Sequence, residues 1–464
     1  MNARNRQRTR FFTPRPIKLA LTPSSRRLLA GMLLAGLLLP VTDASLAQGP
    51  PSTSSTPSTS SAPSTDALTE RESTAGMSAM TRTGDSELPA DAIAADPTAI
   101  IEAFKDAVDD AEIRAQGLAA VDLFDKKSDE LKESLVEMRR LYLVYANGNP
   151  EKRRKKAYLD VRTRSRELMN ETYDAALDVF RFMPHPVAMR FLVTSLLYRT
   201  ERSVYDDGTR EASARLLDYG SRLRYVAISA ARSGVVSNDF VLARRLYEKL
   251  EPKELEDVDR RMFALLDQIE KQYEIESKLR ETQGELPKAR FKTTRGEFTA
   301  ELYINEAPST VAHFINLVES GFYDGLDFFQ VVNDMLALTG DPIGDGTSTP
   351  DRFIADEHER ETIRMPLRGS LVMAKLPIAG TQDFVPNSGG TQFAILFMPL
   401  PSVTTQQTVF GRVIDGMHVL GELRRVDLNK KKKKDELVLP PDRIESVEIL
   451  NRPKDLPPVN YVEA

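Results

Sequence analysis

The sequence predicts a multidomain α+β chain: an N-terminal all-α region of helical hairpins, then an antiparallel β unit. Three observations carry this reading. At 464 residues the chain exceeds what one hydrophobic core organises, so two or more domains are expected. Between about Pro97 and Gln283 apolar residues recur at the 3.6-residue period of amphipathic helices. From Arg290 the period switches to two, as in half-buried strands.

In chain order, residues 1–47 read as an export signal. Arg4, Arg6, Arg8, Arg10, Arg15, Lys18, Arg26 and Arg27 form a basic flank, Leu28 to Val41 is apolar, and Ser45-Leu46-Ala47 is a small-x-small cleavage site. The apolar run of 14 residues is short of the ~20 that span a membrane. The expectation is an exported, periplasmic or extracellular protein beginning at Gln48. The alternative is a membrane tether through an uncleaved N-terminal segment. Residues 48–93 are rich in Ser, Thr and Pro and bury too little apolar surface to offset ordering entropy, so they read as a linker.

Residues 94–284 read as the helical domain. Leu131, Leu135, Met138 and Tyr142 follow the helical period, as do Met169, Tyr173, Ala176 and Phe180. Breaks are expected at Asn147 to Pro150, Pro184-His185-Pro186, Asp206-Asp207-Gly208 and Ser237-Asn238, with helices of about 15–30 residues between them. Antiparallel helical hairpins stacked as a bundle or a short solenoid are expected. Tyr225 to Leu250 also resembles a tetratricopeptide hairpin, with Ala227, Ala230, Ala231 and Ala243 as small contacts, but no fixed-period repeat accompanies it. Glu285-Leu286-Pro287 ends the helical period and predicts two separable parts. Residues 288–452 then form the β domain and 453–464 a tail.

Composition excludes several functions. With no Cys there is no disulfide, zinc-thiolate site or thiol nucleophile. His185, His313, His358 and His418 lack metal-ligand spacing, so neither metal nor cofactor is expected. Eight basic residues and one acid lie in 1–47, so cleavage takes the formal charge from −5 to −12. Nucleic acid, which needs its phosphates neutralised, is a poor partner for such a chain. Lys430 to Lys434, followed by Asp435 and Glu436, reads as a solvated turn.

The blocks of the β region are ordered and specific. After the Arg295-Gly296 turn and the alternating Phe298, Ala300, Leu302 and Ile304 come Ala307-Pro308-Ser309-Thr310-Val311-Ala312-His313-Phe314 and Gly321-Phe322-Tyr323-Asp324-Gly325. Then come Gly369 to Ala374, Asn387-Ser388-Gly389-Gly390-Thr391-Gln392-Phe393 and Val409-Phe410-Gly411-Arg412-Val413. Together they resemble the cyclophilin family of peptidyl-prolyl cis-trans isomerases. The resemblance implies a closed antiparallel β-barrel of cyclophilin type capped by two helices, one starting near Pro308 and one near Gly416 to Glu422. Val311, Phe314, Leu317 and Val318 give the first helix its inward face.

The resemblance also implies a reaction: rotation about X-Pro bonds, whose barrier of about 18–20 kcal/mol comes from amide resonance. An apolar pocket for the ring and donors that favour the twisted peptide suffice. Carried over residue by residue, the family's Phe-His-Arg strand is Phe328-Phe329-Gln330, so its Arg is Gln330. The following Phe-Met pair is Met335-Leu336, and the next Gln is Leu338, while Gly340-Asp341 persists. Ala374 matches and its Asn neighbour is Lys375. Gln392 and Phe393 match, but the next pocket Phe is Ala394. The family's Trp falls near Ser402, its Leu at Val403 and its His at Gln407. An insertion lies between Lys375 and Asn387.

The implied catalytic residues are therefore Gln330 and Gln392. The implied peptide- and proline-binding residues are Phe328, Met335, Leu336, Leu338, Ala374, Lys375, Phe393, Ala394, Val403 and Gln407. Exchanging Arg for a neutral amide and Phe for Ala394 predicts weakened activity. Two readings follow: an isomerase assisting the folding of exported proteins on proline-containing polypeptides, or a non-catalytic peptide-binding module or scaffold whose helical domain binds a protein partner.

Overall fold

The structure is a computed structural model and describes residues 95–147, 152–381, 383–428 and 440–462. The expected signal, the linker and the Lys430 to Lys434 turn lie outside the described residues.

Helices fill the first half: α1 Pro97–Ala107, α2 Ala111–Asn147, α3 Lys152–Phe182, α4 Pro186–Glu201, α5 Asp207–Asp218, α6 Arg224–Val236, α7 Phe240–Lys249, α8 Asp257–Ala264 and α9 Leu266–Thr282. Their starts are chemical. Asp96 and His185 cap α1 and α4, each followed by Pro at the first helical position. Asp239 caps α7. The break expected at Asp206-Asp207-Gly208 falls just ahead of it, because the Asp206 carboxylate accepts from Thr209 N and starts a helix whose first turn contains Asp207 and Gly208. Lengths run from 8 to 37 residues, a wider spread than expected, because packing rather than propensity decides where marginal helices stop.

α2 packs along α3, with the Ser134 and Ser165 hydroxyls 2.8 Å apart and Lys127 Nζ 2.7 Å from Glu171. One helix therefore rises where the other descends. α6 and α7 meet through Ala230, Ala231 and Ala243, all fully buried; a Cβ on Gly234 would press on Ala243.

The second half is a curled antiparallel sheet. Its strands are β1 Lys288–Thr293, β2 Gly296–Leu302, β3 Gln330–Val332, β4 Leu336–Thr339, β6 Ser370–Met373, β7 Phe393–Leu396, β8 Val409–Asp415 and β9 Ile444–Leu450, in the order β3-β4-β7-β6-β8-β2-β1-β9. The end strands β3 and β9 do not ladder together. Backbone bonds from Phe328 N to Asp442 O and from Ile444 N to Leu326 O connect the segments beside them. β5 Phe353–Ile354 pairs separately with β10 Tyr461–Val462.

α10 Pro308–Glu319 and α11 Met417–Gly421 flank the sheet. Its inner face is aromatic: Phe291 stacks on Phe298 at 4.5 Å, and Phe314 meets Phe393 and Phe410 at 5.7 and 5.4 Å. Glu357 reaches the start of α10 from a distant loop and accepts from Ser309 N, Thr310 N and Thr310 Oγ1.

The two halves are joined by buried polar contacts. Arg232 of α6 donates to Asp334, in the turn between β3 and β4, at 2.7 Å. Glu276 of α9 accepts from Arg364 Nη1 at 3.1 Å and from the Tyr303 hydroxyl at 3.3 Å. Met398, just past β7, belongs to the apolar core of α6 to α9.

Candidate active site

A strand pair alternates its side chains between two faces, and the register here sorts the expected site residues by parity. Gln330 pairs with Leu338, Leu338 with Ala394, and Ala394 with Val372. These four form one row across β3, β4, β7 and β6. The adjacent row holds Leu336 and Leu396. Phe393 sits on the opposite parity, in the inner core with Phe328. The structure thus gathers Gln330, Met335, Leu336, Leu338, Ala374, Ala394 and Val403 on the outer face, and places Phe328 and Phe393 inside, where they hold the sheet together.

Gly340 ends β4 at φ +89, where a Cβ would collide with the Thr391 carbonyl. Only glycine permits this approach. It brings Thr391 Oγ1 to Gly340 O at 2.9 Å and aligns Gln392 beside β4.

The two amides differ. Gln392 is partly exposed and its Nε2 donates to Ser348 O at 3.2 Å. Gln330 is 0% exposed, and neither its Nε2 nor its Oε1 has a hydrogen-bond partner. An unpaired buried amide costs about 1–3 kcal/mol. An amide that spends no hydrogen bond within the protein retains both groups for another partner, once that partner reaches it.

The apolar face is covered. Met335, Leu336, Leu338, Ala374, Ala394 and Val403 are buried in one cluster with Leu286, Tyr303, Phe329, Phe384, Leu400 and Val409. Phe384 comes from the insertion, which folds on itself through Val385 N to Leu376 O at 2.7 Å and Ile378 N to Asp383 O at 2.9 Å. Val403 sits on a short 3-10 turn, Pro401–Thr405. Lys375 does not face an open groove either: its Nζ lies 2.6 Å from Asp356 Oδ2 and 2.9 Å from Gln406 O, tying two loops together.

Gln407 lies apart, lining a cavity of only about 10 Å³, room for a single water, with Glu306, Glu357, His358, Ile363, Arg364 and Val409. Arg364 Nε is 3.2 Å from Glu306 Oε1 and its guanidinium stacks 4.2 Å above the Tyr303 ring. Burial pushes the Tyr303 phenol up and the His358 imidazole down, so both stay neutral near pH 7.

Sequence reasoning missed Phe384 and Tyr303 as members of the site face. Phe384-Val385-Pro386 is an apolar patch inside a loop, a signal that was available. No local pattern pairs Lys375 with Asp356, or Arg364 with Glu276.

Against known proteins, the family model described as cyclophilin type peptidyl-prolyl cis-trans isomerase/CLD matches residues 288–449. A peptidyl-prolyl cis-trans isomerase of Helicobacter pylori is 34% identical over 142 residues, 30% of this chain and 82% of the relative. One of Arabidopsis thaliana is 35% identical over 147 residues, 31% of this chain and 84% of the relative. A cyclophilin-type isomerase crystal structure from Cryptosporidium parvum aligns with 36% of this chain and 100% of its own, at 27% identity and a TM-score of 0.30.

Proposed function

The chain belongs, through residues 288–449, to the cyclophilin-type peptidyl-prolyl cis-trans isomerase family, and from this we propose that it is an exported isomerase of reduced power, acting on X-Pro bonds of polypeptides that fold outside the cytoplasm. The row Gln330, Leu338, Ala394 carries the reading. It sets an amide donor beside an apolar wall, which is the arrangement X-Pro rotation uses.

No bond is made or broken in this reaction. As the C–N bond twists, amide resonance is lost and the prolyl nitrogen gains lone-pair character. A donor at Gln330 Nε2 meets that lone pair only in the twisted form, so it lowers the barrier rather than binding the ground state. Met335, Leu336, Leu338 and Val403 hold the ring, and Gln392 steadies the neighbouring carbonyl. Two features support reduced power. A neutral donor is about half as strong as a charged one, and losing a well-placed donor costs about 10²–10³ in rate. The peptide must also displace the residues that cover the apolar cluster.

The burial of Gln330 without a partner favours a second reading, in which the domain binds extended or proline-containing peptides without accelerating rotation and the helical region docks a partner protein. Exchange spectroscopy on an Ala-Pro peptide with the full chain separates the two. Faster cis-trans exchange supports the isomerase. Binding without faster exchange supports the module. Neither binding nor exchange overturns both.

Export is supported by the basic flank, apolar run and small-x-small site of residues 1–47. Fractionation with N-terminal sequencing tests it. A soluble protein starting at Gln48 fits export, retention of Leu28 to Val41 in the membrane fits the tether, and an intact cytoplasmic chain defeats the proposal.

A further inference from the structure

We infer that Asp334 and Arg232 are positioning residues of the proline-peptide site, and that the helical region acts as a clamp on the β3–β4 hairpin. The inference rests on the functional reading above for what the site binds, but its geometry is independent of it. Gln330 begins β3, and Met335, Leu336 and Leu338 lie in or beside β4. The turn between them, Asn333-Asp334, is the only covalent link joining these strands within the site. Its conformation sets where the amide stands relative to the apolar wall.

That turn is held from the helical side at Asp334 and from its own β domain at Asn333. Asp334 Oδ2 accepts from Arg232 Nη1 at 2.7 Å, and Oδ1 accepts from the Tyr205 hydroxyl at 2.8 Å. Asp334 N donates to Ser203 Oγ at 3.0 Å. Arg425 Nε bonds Asn333 Oδ1, while its Nη1 donates to the Gly421 and Leu423 carbonyls. Arg232 is 1% exposed and is fixed in turn by Asp259, at 2.7 and 2.9 Å, and by Glu256 at 2.9 Å. Asp334 takes a left-handed backbone, φ +52, unfavourable for most side chains but tolerated by Asp. A solvated hairpin turn needs none of this. Here a buried arginine, braced by two carboxylates of its own region, reaches across and fixes the turn that carries the site.

Asp334→Gly tests the clamp with little risk to folding. Glycine accepts the positive φ, and Arg232 keeps Asp259 and Glu256, so no buried charge is orphaned. The readout is the Gln330 side-chain amide resonance in the full chain, assigned by its loss in Gln330→Leu, together with melting temperature and affinity for an Ala-Pro peptide. The clamp predicts a melting temperature within a few degrees of wild type, a shifted or broadened Gln330 resonance, and peptide affinity weakened by about tenfold or more, since small misplacements of a site carry penalties of that order. Asp334→Asn keeps the short polar side chain and the left-handed turn and should restore the resonance towards wild type; it also serves should the glycine variant not fold. An unchanged Gln330 resonance in Asp334→Gly overturns the clamp. If the wild-type chain binds no Ala-Pro peptide, the functional reading fails instead, and the resonance alone still decides the clamp.

Discussion

Gln330 shows how a side chain's identity is legible in the sequence while its setting is not. Its place in the Phe-Phe-Gln strand carries the expectation of a donor, but its complete burial without a hydrogen bond follows from what packs over it. Replacing both unsatisfied atoms with an apolar side chain of similar reach should stabilise the fold, so Gln330→Leu is expected to gain about 1–3 kcal/mol in denaturant unfolding while abolishing any isomerase activity. A loss of stability there would mean the amide is satisfied in solution. His313 offers a second test. Its Nε2 donates to Gly390 O at 3.1 Å and its Nδ1 accepts from the Tyr461 hydroxyl. Burial holds its pKa below the ordinary value, against a raising effect of the Gly390 bond. The folded state then binds fewer protons than the unfolded one. Its contribution is complete above the unfolded value of about 6.5 and is lost as pH falls below it. Melting temperature should drop between pH 7 and pH 5, and His313→Gln should shrink that drop; an identical slope would remove His313 from the account.

At the scale of single elements, α10 depends on a residue outside it. Its first turn carries backbone donors with no partner in the helix, and Glu357, 47 positions from Thr310, supplies the acceptor. Glu357→Ala leaves the Ser309 and Thr310 donors buried and unpaired, so we expect a loss of about 1–3 kcal/mol, read as a lower denaturant midpoint. A midpoint within error of wild type would show that water reaches this helix end. The insertion is an element the sequence outlines but does not orient. Its length and position are plain between Lys375 and Asn387, but Phe384 joins the site face only because the segment turns back through Val385 and Leu376.

Over the whole molecule, the break at Glu285-Leu286-Pro287 suggests two separable parts, and the contacts argue for mutual dependence. Leu286 is buried with the site cluster, Gln283 Oε1 accepts from Arg364 at 2.8 Å, and Met398 fills the helical core. Breaking a buried ion pair by removing one partner costs about 3–5 kcal/mol, and separating the two parts would break the Arg232–Asp334 and Arg364–Glu276 pairs. The full chain should therefore melt in one calorimetric transition, protease should spare residues 283–288, and a 285–453 fragment should melt at a lower temperature. Two separated transitions, or early cleavage at the junction, would show the parts to be independent.

What the sequence determined by itself is local. The switch of period from 3.6 to two locates the α and β regions, since α1 starts at Pro97 and α9 ends at Thr282. Pro308 and Gly416 mark the two flanking helices, and the ordered blocks from Ala307 to Val413 identify the family. Each of these depends on neighbours along the chain, which a sequence displays directly. The tertiary structure alone decided which residues of the site share a face, that the site is covered, and that Arg232 and Asp334, 102 positions apart, join the two regions. Those outcomes depend on strand register and on charges that meet only after folding. Burial makes them energetically decisive, because a polar group withdrawn from water must find its partner wherever the fold places one.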